Sequence, residues 1–109
     1  MKVKTFGFAK ATPPADATIV IDVRAMGTTD LDSPIVRGAI DKALAHIDRV
    51  GDDAVVVFGC MYGEERSVAV AEYFGRLVGV TPEHTTRNLP KGTFAEGSAE
   101  ARVADFFNR

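Results

Sequence analysis

Residues 55–75, VVVFGCMYGEERSVAVAEYFG, decide how the rest of the chain is read. A continuous apolar run, Ala54 to Phe58, has the length and composition of a buried strand. It meets a glycine-bearing polar turn around Cys60 and Gly63. Beyond the turn Val68, Ala71, Phe74, Leu77 and Val78 recur at helical spacing, and Gly79 closes the run. Strand, turn and helix in that order expose free backbone N–H groups at the positive end of a helix dipole. That is the chemistry of an anion site, and Arg66 adds a planar fork suited to phosphate or carboxylate. Ser67 can cap the helix or donate to the same anion. Cys60, the chain's single cysteine, stands where a thiol gains thiolate character.

Working outward, Val3 to Phe8 reads as a strand that ends before the Pro13–Pro14 turn. Thr18 to Arg24, TIVIDVR, reads as a second. Gly27 to Ser33 is a polar loop. Ser33–Pro34 is an N-cap followed by proline at the first helical position. From there Ile35, Ala39, Ile40, Ala43, Leu44 and Ile47 mark a helix stopped by Gly51. A short strand within 81–89 carries His84 and Arg87, and Ser98 to Phe107 reads as a last helix with Phe106 and Phe107 on its core face. The expected fold is therefore α/β. It is a single small domain, residues 1–109, with a parallel or mixed sheet of about four strands and helices on both faces. Sites in such sheets gather beyond the carboxyl ends of the strands, where Asp22, Arg24, Gly59 and Cys60 fall.

The chain has 109 residues, a formal net charge of −2 and a charged fraction of 26%. That is ordinary for a soluble domain and gives no basic surplus for nucleic acid or an anionic membrane. No apolar run approaches the roughly 18 residues of a membrane span, and the start lacks a signal-peptide core. A lone cysteine fits a reducing compartment, so a cytoplasmic location is expected. His46 reads as a partly exposed helix residue. Neither it nor His84 has a spaced partner for a metal, so no metal and no cofactor are expected.

The spacing Cys60-x5-Arg66-Ser67 after an apolar strand matches the phosphate loop of cysteine-dependent phosphatases. On that alternative Cys60 is the nucleophile, Arg66 binds the phosphoryl oxygens, and Asp30 or Asp32 is the acid. Two features oppose it: Gly59 stands where such enzymes usually carry histidine, and Glu64 and Glu65 lie inside the loop. The bland readings are a small buried cysteine and a structural Asp22–Arg24 pair.

Beyond these motifs the chain resembles the C-terminal domain family of RapZ, the RNase adapter protein. TFGFAKATPPADATIVIDVR (5–24) resembles that domain's opening, with Phe6-Gly7-Phe8, Asp16-Ala17 and Asp22-Val23-Arg24 in place. GCMYGEERSV (59–68) resembles the family's Gly-Cys-x-x-Gly-x-x-Arg-Ser-Val segment, and Arg87 to Lys91 is a weaker echo. The resemblance spans roughly residues 5 to 91. It implies a stand-alone sensor or adapter domain rather than an enzyme. Relatives of this type bind an amino-sugar phosphate, glucosamine 6-phosphate, and small regulatory RNAs. Carried over, it implies a small anionic metabolite at Cys60, Gly63, Arg66 and Ser67, with Asp22 and Arg24 beside them; the rest of the loop, Met61, Tyr62, Glu64 and Glu65, completes the candidate ligand-binding set. Tyr62 is the residue placed to stack on a ligand. The family's basic residues before the loop arginine are Glu64 and Glu65 here. That departure predicts weaker phosphate binding or a less anionic, amine-bearing ligand. The basic tail is replaced by EGSAEARVADFFNR, so RNA binding is not expected. A protein-interaction module, with RNA binding ranked behind it, is the further alternative, and a homo-oligomer stays open.

Overall fold

The computed structural model describes residues 1–26 and 31–89. Four strands form one sheet: β1 (Lys2–Gly7), β2 (Ile19–Asp22), β3 (Val55–Cys60) and β4 (Glu83–His84). Two helices cover it, α1 (Pro34–Val50) and α2 (Arg66–Val78). The strand order is β2-β3-β1-β4 and every pairing is parallel. The α/β class and the strand count agree with the expectation. The fourth strand is shorter than residues 81–89 allow, and the helix expected at Ser98 to Phe107 lies outside the described residues.

Topology decides which face the helices take. Both crossovers, β2–α1–β3 and β3–α2–β4, step in the same direction across the sheet. Crossovers are right-handed almost without exception, so both described helices land on one face, a correction to the expected cover of both faces by helices. Val3, Ile21, Val56, Phe58 and Cys60 from that face join Val36, Ala39, Ile40 and Ala43 of α1 and Val70, Ala71 and Phe74 of α2 in a single cluster. Phe58 and Phe74 meet edge to face at 5.5 Å. The connection from β1 to β2 steps the other way and lies on the opposite face. There Phe8 and Ala17 pack with Phe6, Val20, Val55 and Val57. Lys4 pins that connection through an ion pair with Asp16 at 2.9 Å.

The helix ends follow local chemistry. Ser33 Oγ accepts from Val36 N at 3.3 Å, Pro34 opens α1, and Gly51 (φ 76°) closes it with its N–H on Ile47 O. Gly79 ends α2 in the left-handed region, φ 75°. The buried stripes are rotated from those expected. Val36 and His46 are inside while Ile35 and Leu44 are 39% and 40% exposed, and Leu77 of α2 is 53% exposed. Both helices carry apolar residues around much of their circumference, so periodicity alone leaves the phase open. His46 is buried, a correction to the expected partial exposure. Its Nε2 lies 2.8 Å from Thr18 Oγ1, a hydroxyl that also accepts from Val55 N at 2.8 Å. Burial, with Arg49 nearby, holds the His46 imidazolium below the ordinary histidine range.

Candidate functional site

The register Asp22↔Gly59 makes the ends of β2 and β3 immediate neighbours, so the two charged clusters do converge. β1 ends beside them through Gly7↔Cys60. Past the strands the ladder continues, with Phe8 N and Ala9 N donating to Cys60 O and Met61 O at 2.9 Å each. The loop after β3 is thereby fastened to the turn after β1.

Gly63 closes that loop against β1. Its φ is +66°, and a Cβ there would meet Thr86 Oγ1 at 2.6 Å and Gly7 N at 2.7 Å. The same contact bars a side chain at Gly7, whose Cβ would strike the Tyr62 carbonyl. Gly59 has a different reason. A Cβ there would lie 2.6 Å from the Phe6 ring and 2.7 Å from the Phe8 ring. The position before the cysteine cannot take histidine because two aromatic rings fill the space.

Cys60 is 2% exposed and faces the helix side of the sheet. Its Sγ lies 3.2 Å from Ser67 Oγ and accepts from Gly63 N at 3.3 Å. Burial pushes the thiol pKa up. The Ser67 hydroxyl and the backbone N–H groups of Ser67, Gly63 and Tyr62 together outweigh burial, and the net shift is downward. Glu65 occupies the N-cap position of α2 with no capping hydrogen bond from its side chain, and the sulfur takes up the helix amide of Ser67 together with the loop amides of Gly63 and Tyr62.

Arg66 sits half-buried at the first position of α2. Its Nη1 donates to Arg24 O at 2.9 Å and Met26 O at 3.1 Å, which straps the segment after β2 to the helix start. Among the described residues no acceptor engages Nε or Nη2, the fork edge of the guanidinium. Arg24 is arranged otherwise. Nε and Nη2 grip Asp22 bidentately at 2.7–3.0 Å, Arg24 N donates to Asp22 Oδ1 at 2.8 Å, and Cζ lies 4.0 Å over the Phe8 ring. The two loop glutamates part company. Glu64 Oε1 lies 3.5 Å from Lys10 Nζ, whereas Glu65 is exposed. Met61 is half-buried, and Tyr62 is 38% exposed at the loop's surface.

The other candidates lie apart from this loop or beyond the described residues. Asp30 falls outside them. Asp32 is exposed and lines a cavity of about 340 Å³ with Arg37, Asp41 and Tyr73. His84 is committed elsewhere: Nε2 lies 2.7 Å from Glu72 Oε1 and Nδ1 2.8 Å from Thr5 Oγ1. An ionised Glu72 can only accept, so Nε2–H donates to it. Among the described residues no three His, Cys, Asp or Glu side chains gather as a metal set. No described helix is long and apolar enough to cross a membrane.

Sequence reasoning missed Lys10 and Thr86. Lys10 is fully buried and donates to Thr86 O at 3.1 Å. Thr86 is 2% exposed, and its Oγ1 accepts from Gly7 N at 2.9 Å. The threonine thus ties β1 to the turn after β4. The one signal in the sequence was a lysine directly after an apolar strand, in a stretch read simply as a turn. No protein-family model matches the chain, and no curated protein matches it.

Proposed function

We propose that the chain is a small-molecule-binding domain of the RapZ C-terminal type, a cytoplasmic sensor or adapter. It takes a phosphorylated or otherwise anionic metabolite at the Cys60–Ser67 loop. The observation that carries the reading is Arg66. Its Nη1 is spent on two carbonyls that fix the guanidinium in place, and its Nε/Nη2 edge has no acceptor among the described residues. A guanidinium held rigid by one nitrogen with its fork edge open suits a planar, bidentate anion. The loop's amides, gathered around the Cys60 sulfur, add positive potential beside it. Arg24, already paired with Asp22, walls the site rather than adding net charge.

Calorimetric titration with sugar phosphates and inorganic phosphate tests the reading. The wild-type protein is expected to bind, and Arg66→Ala to lower affinity on the order of tenfold or more. Absence of any binder, or an affinity indifferent to Arg66→Ala, overturns it.

The lowered thiol pKa favours a second reading, a cysteine-dependent phosphatase. Against it stand the burial of Cys60 and the ring-filled space at Gly59. Hydrolysis of an aryl phosphate that vanishes in Cys60→Ser would establish it. Absence of turnover in the wild type removes it.

A further inference from the structure

Lys10 is a cation that the loop's own sequence does not contain. It lies in the turn after β1, where the amides of Lys10 and Ala11 both donate to Gly7 O at 3.0 and 3.1 Å. The side chain is 0% exposed. Nζ donates to Thr86 O at 3.1 Å, and its counter-charge among the described residues is Glu64 at 3.5 Å. That separation is loose beside the 2.7–2.9 Å of a close charge-assisted hydrogen bond. An ammonium taken wholly out of water is costly unless it is tightly paired.

The asymmetry of the pair matters as much as its length. Lys10 is enclosed, whereas the Glu64 side chain is 34% exposed. Glu64 also sits in the binding loop, directly after the backbone turn at Gly63. The cation is enclosed, and the carboxylate borders solvent on the segment that meets the ligand.

We infer that Lys10 is a further binding residue of the site and that Glu64 is its built-in stand-in for the ligand's anion. This rests on the reading of the loop as an anion site. A phosphate or carboxylate group on the incoming metabolite takes the carboxylate's place at Lys10, and Glu64 turns out to water. The substrate class narrows accordingly. A neutral sugar brings nothing that can displace a carboxylate from a buried ammonium. The ligand therefore carries a full negative charge at this end, and Glu64 sets how strongly charged it must be.

Inorganic phosphate is the probe, titrated calorimetrically into the wild type, Glu64→Gln, Glu65→Gln and the double variant Lys10→Met/Glu64→Gln. Glu64→Gln is expected to bind phosphate on the order of tenfold more tightly than the wild type. Glu65→Gln makes the same change in net charge at the next residue and is expected to alter affinity less than about threefold. The double variant loses the gain. Thermal unfolding supplies a second readout, because Glu64→Gln strands Lys10. Its midpoint is expected to fall in phosphate-free buffer and to recover on adding phosphate, by more than the wild type gains.

Equal tightening in the two glutamate variants would reduce the effect to general charge and overturn the inference. So would a destabilised Glu64→Gln that phosphate does not rescue. Arg66-dependent binding of phosphate by the wild type, with no gain in Glu64→Gln, overturns the role of Lys10 and Glu64 while the loop reading stands. Absence of phosphate binding in both the wild type and Glu64→Gln overturns the inference, and absence of any binder among the sugar phosphates as well overturns the loop reading with it.

Discussion

The end of β2 and the loop after β3 share one sheet edge, yet they hold their charges in opposite ways. At the end of β2, Arg24 folds back onto Asp22 two residues away, and both nitrogens of its fork edge are engaged. At the loop, Arg66 reaches across to backbone carbonyls that hold the guanidinium without neutralising it. A cation paired within its own strand end is structural furniture. A cation anchored by neutral groups keeps its charge for something else. The same amino acid, a few ångströms along one edge, plays two roles because of what accepts its hydrogen bonds.

The largest effect that would break this contrast lies at Gly63. A side chain there needs φ near +66° and meets Thr86 Oγ1 and Gly7 N inside 3.0 Å. Gly63→Val is expected to cost about 3 kcal/mol or more in urea denaturation, with loss of anion binding. A variant of near wild-type stability would mean that the loop does not depend on its seat against β1.

The next effect, intermediate in size, sharpens the contrast directly. Arg24→Ala should lower stability by about 1 kcal/mol, because the pair is partly exposed and the Phe8 contact goes with it. Phosphate affinity should stay within about threefold of wild type, unlike the loss in Arg66→Ala. If the two alanine variants lose affinity equally, the distinction between the arginines fails.

The smallest effect concerns pH. The folded-state pKa of Cys60 lies below the ordinary thiol value near 9.0, so the unfolded chain holds the proton more tightly. Its contribution to stability is fully present above that value and is lost as pH falls through the lowered folded pKa. The stability gap between wild type and Cys60→Ala should therefore widen as pH rises from neutral toward 9, measured by denaturant melts at fixed ionic strength. A gap that narrows would mean that the loop's amides do not favour the thiolate.

Most of the fold was legible because it rests on local signals. Apolar strands, the Ser33–Pro34 start and the glycine stops are written in consecutive residues, and Asp22 beside Gly59 follows from placing two adjacent strands in parallel. The site was legible only as far as the loop itself. Glu64 and Glu65 look alike in sequence, and the fold separates them by setting the turn after β1 against one of the two. Lys10 and Thr86 were invisible for the same reason, since their partners come from distant segments brought together by the β1–β3 and β1–β4 pairings. His46 was misjudged because its burial depends on Thr18, which no helical periodicity reports. The resemblance to the RapZ C-terminal domain, which implied a site at the loop with Asp22 and Arg24 beside it, did not name Lys10.

The strand order carries a consequence for how the molecule is made. β1 leaves the ribosome first, yet its two neighbours in the sheet are β3 and β4. Among the described residues no hairpin starts the sheet, and the interior strand must wait until residues 55–60 have been synthesised before it finds that ladder. Long-range parallel pairing of this kind closes large loops before it is rewarded, which slows folding. During that interval Phe6 and Phe8, destined for full burial, stand in water beside open backbone. The segment that later seats the Cys60–Ser67 loop is thus exposed longer to wrong partners during synthesis than the other described strands.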